Sequence, residues 1–134
     1  APGSEAIGLD VAERDGSELV GFCAWERAYD LHHCISGATV CDMYVLPQFR
    51  GHAVPVLLLA ELALQVSSRG GHFISGQAVS LPGVQTLYER VAISFPGANC
   101  ILGGRAFRTF AELAHRPARF VVKNLPEKRW NYEG

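Results

Sequence analysis

Residues 48–53, Gln48-Phe49-Arg50-Gly51-His52-Ala53, form the segment of this 134-residue chain whose residue types best suit the binding of an anion. Gly51 lets the backbone approach a ligand closely, and Ala53 is nearly as small. A strand-like run precedes the segment and a strongly apolar run follows it, so backbone N–H groups would converge at a helix N-terminus. Arg50 and His52 could add positive charge. The turn is therefore predicted to bind a phosphate or diphosphate, although its pattern is neither a Walker A loop nor GxGxxG.

The elements before this turn are predicted to be three strands of an antiparallel meander. The segments "AIGLDVAE" and "ELVGFCAWERAYDLHH" have strand-like patterns and are joined by the hairpin turn "RDGS". A loop, "CISGA", leads to a third strand, "TVCDMYV", which is rich in β-branched and aromatic residues. The third strand ends just before the turn and would hold it in place.

The elements after the turn are predicted to alternate between helix and strand. Residues 54–66 are apolar almost all round, which favours a buried helix, and its first turn tolerates Pro55. The next strand, "HFISGQAV", would lie parallel to the third. A second helix over "LPGVQTLYERVAI", a strand "NCILGG", a short helix "RTFAELAH" and a final strand "ARFVVKN" complete the chain. The prediction is one α+β domain over residues 1–134, with a mixed, mostly antiparallel sheet, a central βα unit and flanking helices.

Composition and charge narrow the class of protein. The chain is 49% hydrophobic, enough for a real core, and its longest apolar run is broken by Glu61 and ends in polar residues, so no membrane span is predicted. Its N-terminus lacks the pattern of a signal peptide, and four widely spaced cysteines favour buried free thiols in a reducing cytoplasm. The net charge is −1, with most acidic residues before residue 43 and most basic residues after it. A pI near 6.6 argues against general nucleic-acid binding.

Two motifs resemble those of the GNAT superfamily of N-acetyltransferases. Residues 48–53 are similar to the Q/R-x-x-G-x-G/A acetyl-CoA motif, and "DMYVLPQFRGHAVPVLLLAEL" is similar to the family's central strand, pyrophosphate loop and following helix. Further along, "LYERVAI" resembles the second motif, F-Y-E-K-L-G-F. The predicted order of strands and helices from Ala6 to Val122 also resembles that of the family. The resemblance implies a GNAT-like fold and an acyltransferase that moves an acetyl group from acetyl-CoA to a primary amine, without a metal.

The resemblance also implies roles for individual residues. Backbone groups of the strand end would hold the pantetheine arm and the thioester carbonyl, and the loop and helix start would bind the diphosphate. These cofactor-binding residues are Met43, Tyr44, Val45, Gln48, Phe49, Arg50, Gly51, His52, Ala53, Val54 and Pro55. Tyr88 matches the tyrosine that serves as general acid, because a phenol with a pKa of about 10 can protonate the thiolate of a thiol with a pKa of about 8.5.

The chain departs from the family pattern at several positions. Cys41 stands where many relatives have a glutamate, so the general base is unidentified, while Leu81 and Ala92 replace an asparagine and a glycine. The resemblance begins at the family's second strand, which leaves out one wall of the acceptor pocket. A homodimer that covers this edge or completes the pocket is therefore expected. The acceptor is expected to be a small-molecule or peptide amine.

Two other functions and several structural interpretations remain open. One alternative is a non-catalytic acyl-CoA-binding protein, and the other is a toxin-like acetyltransferase that acts on aminoacyl-tRNA. The sequence "HHC" at residues 32–34 favours a surface loop over a zinc site, because no second ligand cluster accompanies it. Asp30 and the two histidines could instead meet the acceptor amine. Cys41 is interpreted as a buried thiol rather than a nucleophile. The large aromatic residues Trp25, Phe107 and Phe110 are assigned to the core.

Overall fold

The computed structural model describes residues 7–50, 53–77, 90–91, 93–94 and 99–126. Six strands form one sheet, in the order β1-β2-β3-β4-β6-β5. The strands are β1 (Ile7–Arg14), β2 (Glu18–Asp30), β3 (Ile35–Val45), β4 (Phe73–Gln77), β5 (Ile93–Ser94) and β6 (Asn99–Gly103). The helices are α1 (Val54–Ser68), α2 (Gly104–Glu112) and α3 (Ala118–Lys123), and a short 3-10 turn spans Pro47–Phe49. These elements confirm the predicted α+β class with a mixed sheet.

Strand pairing confirms the predicted meander and the central βα unit. Strand β2 pairs antiparallel with both β1 and β3. Strand β4 pairs parallel with β3 on one side and antiparallel with β6 on the other. Because α1 connects β3 to β4, it forms the crossover that a parallel pair requires. Within the described residues, β3–β4 is the one parallel pair of the sheet.

The core lies between one face of the sheet and α1, which also packs against α2 and α3. Trp25, Phe107 and Phe110 are almost fully buried there, which confirms their assignment to the core. Helix α1 buries residues on most of its circumference, as the apolar run predicted. No helix in the described ranges is both long and apolar enough to cross a membrane.

Two predicted elements are wrong. The segment "ARFVVKN", predicted as a strand, forms α3, in which Val121 is fully buried against the core. Helical spacing lets one side of this segment pack while the rest faces solvent, and this outweighs the strand propensity of its valines. The segment "CISGA", predicted as a loop, begins β3 at Ile35, because the turn is completed by Cys34 with a positive φ of 56°.

The predicted helix "LPGVQTLYERVAI" lies largely outside the described residues. Arg90 and Val91 are helical, whereas Ile93 belongs to β5, so the helix does not extend to the end of the predicted segment. Strand β6 and α2 agree with the predicted strand "NCILGG" and helix "RTFAELAH", except that α2 already begins at Gly104.

Candidate functional site

Residues 46–50, which follow β3, fold into a tight backbone turn. The Phe49 N–H donates to the Leu46 carbonyl at 2.9 Å, and the Leu46 N–H donates to the Val20 carbonyl at 2.8 Å. The first bond closes the 3-10 turn, and the second fixes the turn to β2. Pro47 begins the turn, which matches its fixed φ and lack of an N–H group. Gln48 and Phe49 line the same cavity as Val54, so the turn lies beside the start of α1.

Helix α1 begins without a side-chain cap among the described residues. Its N-cap residue, Ala53, is left-handed, with a φ of 60°, and has no side chain that could accept a hydrogen bond. The Leu57 N–H donates to the Ala53 carbonyl, which is the first bond of the helix. The N–H groups of Val54 and Val56 precede it, and Pro55 has none. A helix start with uncapped N–H groups is an anion-binding geometry.

Strands β3 and β4 are paired over only three residues and then part. Gly37, Ala38 and Thr39 lie opposite Phe73, Ile74 and Ser75. Beyond this point β3 continues to Val45 paired with β2, while β4 continues to Gln77 paired with β6. The edge of β3 from Val40 to Val45 therefore has no strand partner on its β4 side among the described residues. Its backbone groups are available to an extended ligand.

A cavity of about 500 Å³ lies beside the turn. It is lined by Glu13, Arg14, Val20, Gln48, Phe49 and Val54. The Arg14 guanidinium lies 5.5 Å from the centre of the Phe49 ring, within the range of a cation–π contact. The cavity thus joins the start of α1 to a cation from the β1–β2 hairpin, and its volume falls in the range of small-molecule sites.

Arg50 is partly engaged in holding the turn. Its Nε donates to the Val45 carbonyl at 2.9 Å, and its guanidinium carbon lies 5.4 Å from the centre of the Tyr44 ring. The side chain therefore folds back along the end of β3. Because Nε is occupied, Arg50 could bind an anion only through the N–H groups of its two terminal guanidinium nitrogens.

Side chains near the middle of β3 alternate about a bulge. Met43 and Val45 are buried in the core, whereas Asp42 and Tyr44 point to the opposite face. Cys41 lies at the register shift and is exposed, so the prediction that it is a buried thiol is wrong.

The thiols near the site are weak candidates for a nucleophile. Although Cys41 is exposed, partial desolvation by its neighbours, together with the negative charges of Glu26 and Asp42, raises the pKa of its thiol. Burial raises the pKa of Cys23 to about 12. Both shifts disfavour the thiolate, which is the reactive form of cysteine.

The structure brings together most of the residues predicted to bind the cofactor. Met43, Tyr44 and Val45 end β3, Gln48 and Phe49 form the 3-10 turn with Arg50 after it, and Ala53, Val54 and Pro55 begin α1. Gly51 and His52 lie outside the described residues, as do Tyr88, Leu81 and Ala92. Their assigned roles therefore stay predictions.

The tip of the β2–β3 hairpin lies at the other end of β3 from the turn. Asp30 Oδ1 accepts a hydrogen bond from the His32 N–H at 2.9 Å, and Asp30 Oδ2 lies 2.7 Å from His33 Nδ1. The His33 hydrogen bond is the main cause that lowers the pKa of Asp30. The three residues stabilise a surface turn. In the described part of the chain, no group of three or more His, Cys, Asp or Glu residues is arranged to bind a metal ion.

Three polar residues near the site were missed in the sequence. Arg14 lines the cavity, and Thr39 Oγ1 lies 2.8 Å from Ser75 Oγ where β3 and β4 part. Thr39 and Ser75 are 36 positions apart, so only the strand pairing relates them. Arg14 is the last residue of β1 and carries no local signal of a ligand contact.

Comparison with solved structures identifies the fold. The chain resembles a ribosomal-protein-alanine N-acetyltransferase from Brucella melitensis biovar Abortus 2308, with 24% identity and a TM-score of 0.59 over 69% of this chain and 67% of that one. It also resembles AtaTR bound with AcCoA, with 11% identity and a TM-score of 0.61 over 78% of this chain and 72% of that one. A mutant AtaT toxin bound to the C-terminus of the antitoxin AtaR gives 11% identity and a TM-score of 0.60, over 78% and 71%.

These likenesses establish that the chain has the GNAT fold. No protein-family model and no curated protein sequence matches it. The chain spans about two thirds of the first structure named above and 60% of a further similar one, a putative acetyl transferase from Pyrococcus furiosus. At identities below 25%, the likeness extends to the fold alone.

Proposed function

We propose that this chain binds acetyl-CoA and transfers its acetyl group to a primary amine by direct attack in a ternary complex. The observation that carries the proposal is the parting of β3 and β4 beside the uncapped start of α1. An open strand edge suits the amide groups of a pantetheine arm, and a helix start suits a diphosphate. The same two features meet at the Gln48–Ala53 turn, whose sequence resembles the acetyl-CoA motif.

The residues present fit such a ligand. Gln48, Phe49 and Val54 line a cavity of about 500 Å³, to which Arg14 adds a cation and Glu13 a carboxylate. Ala53 takes a left-handed conformation with a minimal side chain, which keeps the space in front of the helix N–H groups open. The AtaTR structure, described as bound with AcCoA, has the same fold. These features support the cofactor class independently of the sequence motif.

The proposed mechanism assigns one task to each part of the site. Bound acetyl-CoA supplies a thioester whose carbonyl carbon the neutral amine attacks. Backbone N–H groups along the open edge of β3 stabilise the negative charge that develops on the carbonyl oxygen. The amine nitrogen loses its proton to water or to a base not yet identified, since Cys41 replaces the usual glutamate. Tyr88 then donates its phenol proton to the departing sulfur, and free CoA and an amide leave the site.

Calorimetric titration with acetyl-CoA tests the proposal. The variant Gly51→Val places a branched side chain where the diphosphate would approach, so it should weaken binding at least tenfold, or about 1.4 kcal/mol. Ala28→Val in β2, opposite Gly37 at the far end of β3, is the matched control and should bind as the unmodified chain does. An unchanged dissociation constant in folded Gly51→Val, or no binding by the unmodified chain, would contradict the assignment.

Mass spectrometry of an amine panel distinguishes the alternatives. Binding of acetyl-CoA with no acetylated product from small amines, peptides or aminoacyl-tRNA would indicate a non-catalytic acyl-CoA-binding protein. Product formed from aminoacyl-tRNA alone would favour the toxin-like function. That alternative depends on cationic residues in or beside α2 and α3, namely Arg105, Arg108, Arg116 and Arg119. Product from small or peptide amines supports the proposed function.

A further inference from the structure

The sheet has an apolar outer face, defined as the side of β1–β3 that points away from α1. Alternate residues of β1 project from it, and paired residues on β2 and β3 share the same side. The apolar residues of the outer face are Ile7, Leu9, Val11, Leu19, Phe22 and Tyr44. Ile7 is 72% exposed and Leu9 63% exposed. Among the described residues, no element covers this face.

The packing of the core determines which residues of β1 face outwards. Its inward positions are Gly8, Asp10 and Ala12, and a Cβ built on Gly8 would clash with the Trp25 indole. A one-residue slip of β1 would turn a leucine or isoleucine into this filled space. The large side chains therefore point outwards because the core has no room for them.

The outer face also forms a shallow groove. A cavity of about 400 Å³ is lined by apolar side chains that include Leu9, Val11, Phe22 and Tyr44. Large contiguous apolar patches on soluble domains mark interaction sites. A groove lined in this way excludes a charged ligand and fits another apolar surface.

We infer that the occupant is the outer face of a second copy of this chain, packed face to face about a two-fold axis. Ile7, Leu9, Val11, Leu19 and Tyr44 leave roughly 500 Å² exposed, close to the apolar share of one side of a standard interface of about 800 Å². Sheets pack face to face at about 10 Å, so side chains of this length from two copies interdigitate. The area thus suits an isologous dimer.

Charged residues lie around the apolar residues of the outer face. Glu26 is the lateral neighbour of Ile7, Glu13 is the lateral neighbour of Leu19, and Asp42 is paired with Ala24, the neighbour of Leu9. Arg50 lies over Tyr44. An apolar centre with a charged rim is the usual composition of a protein–protein interface.

Multi-angle light scattering and sedimentation equilibrium test the dimer with matched leucine variants. The unmodified chain should have a mass of twice 14.6 kDa. Leu9→Glu buries a charge at the centre of the interface and should raise the dimer dissociation constant by at least tenfold, whereas Leu31→Glu, at the 82% exposed hairpin tip, should not change it. Circular dichroism establishes that each variant is folded.

A second variant keeps the test decisive if Leu9→Glu does not fold. Val11→Lys introduces a charge of the other sign into the groove, at a side chain that is 48% exposed, so it should also raise the dimer dissociation constant by at least tenfold. Three results would overturn the inference: a monomer at about 100 μM, a dimer unaffected by Leu9→Glu, or a dimer unaffected by Val11→Lys. None of these results depends on acetyl transfer.

Discussion

The hydroxyl oxygens of Thr39 and Ser75 lie 2.8 Å apart at the last residue pair before β3 and β4 part. Ser75 is buried, and Thr39 is partly buried. The pair therefore lies where the gap between β3 and β4 begins, next to the open edge of β3 whose N–H groups are proposed to stabilise the charge on the thioester oxygen. A cross-strand hydroxyl pair at this position holds two strands together where their backbone pairing ends.

Removal of one of the two hydroxyls should destabilise the fold, because the other hydroxyl is then left without its hydrogen-bond partner. Thr39→Val keeps the shape of the side chain but leaves the buried Ser75 hydroxyl without this partner. The free energy of unfolding should fall by about 1–2 kcal/mol, because an unsatisfied buried polar group carries a desolvation cost. Urea unfolding followed by circular dichroism measures the change.

A double-mutant cycle with Ser75→Ala gives the pairwise contribution. We expect a coupling of about 0.5–1 kcal/mol, since the second substitution removes a group that is already unsatisfied. Ser17→Ala, in the exposed β1–β2 turn, is the control for loss of a hydroxyl and should be nearly neutral. Strictly additive effects of Thr39→Val and Ser75→Ala would mean that the two hydroxyls do not interact.

The central part of the fold was predictable because its signals are local and mutually consistent. The β-branched third strand, the proline within the first turn of α1 and the glycines after it each mark one boundary. Together they predicted β3, α1 and the parallel β4 in the right order. The described 3-10 turn at Pro47–Phe49 overlaps the start of the segment in which a strand-to-helix turn was predicted.

The errors have tertiary causes. Residues 118–123 have strand propensity, but Val121 finds a buried position only when the segment coils against α1. The turn before β3 depends on Asp30, whose carboxylate accepts the His32 N–H, and on Cys34 in a left-handed conformation. Cysteine has no particular preference for that conformation, so the earlier start of β3 could not be predicted.

The side to which β1 turns its apolar residues could not be predicted either. Alternation identifies a strand but not which set of residues faces the core. Here the Trp25 indole occupies the space above Gly8, and this contact depends on the register of β1 against β2. The exposed outer face follows from that register.

Asp10 should make stability depend on pH. It is buried on the inward side of β1, where Gln65 Nε2 donates to its Oδ1 at 2.7 Å. Burial raises the pKa of Asp10, and the Gln65 hydrogen bond partly opposes that shift. The folded protein then binds this proton more tightly than the unfolded chain does. The free energy of unfolding should therefore fall as pH rises from the ordinary value of about 4 through the folded pKa.

Asp10→Asn isolates this effect because an amide does not titrate in this range. The variant should become more stable relative to the unmodified chain as pH rises from about 4 to 8, by about 1.4 kcal/mol for each unit of pKa shift. The amide oxygen of the variant accepts a weaker hydrogen bond from Gln65 Nε2, and this lowers the free energy of unfolding by an amount that does not vary with pH. Asp15→Asn, in the exposed turn, is the control for loss of one carboxylate. A difference that stays constant or shrinks with rising pH would contradict the prediction.

Tyr88→Phe tests the proposed general acid. The substitution keeps the ring but removes the proton that the thiolate needs, so kcat should fall by roughly 100-fold, the lower end of general acid–base contributions. The affinity for acetyl-CoA should change little, because the hydroxyl makes at most one hydrogen bond to the sulfur. Steady-state kinetics with an accepted amine and calorimetry with acetyl-CoA measure the two quantities separately.

Tyr29→Phe is the matched control, since Tyr29 is an exposed tyrosine of β2 on the strand that leads to the hairpin tip. It should leave both kcat and acetyl-CoA affinity unchanged. Lost turnover with retained binding in Tyr88→Phe alone supports the acid role. If Tyr88→Phe lowered kcat, the affinity for acetyl-CoA and the melting temperature together, the Tyr88 hydroxyl would have a structural role instead. Unchanged turnover would mean that water protonates the sulfur or that the thiolate leaves without help, and the catalytic assignment of Tyr88 would be wrong.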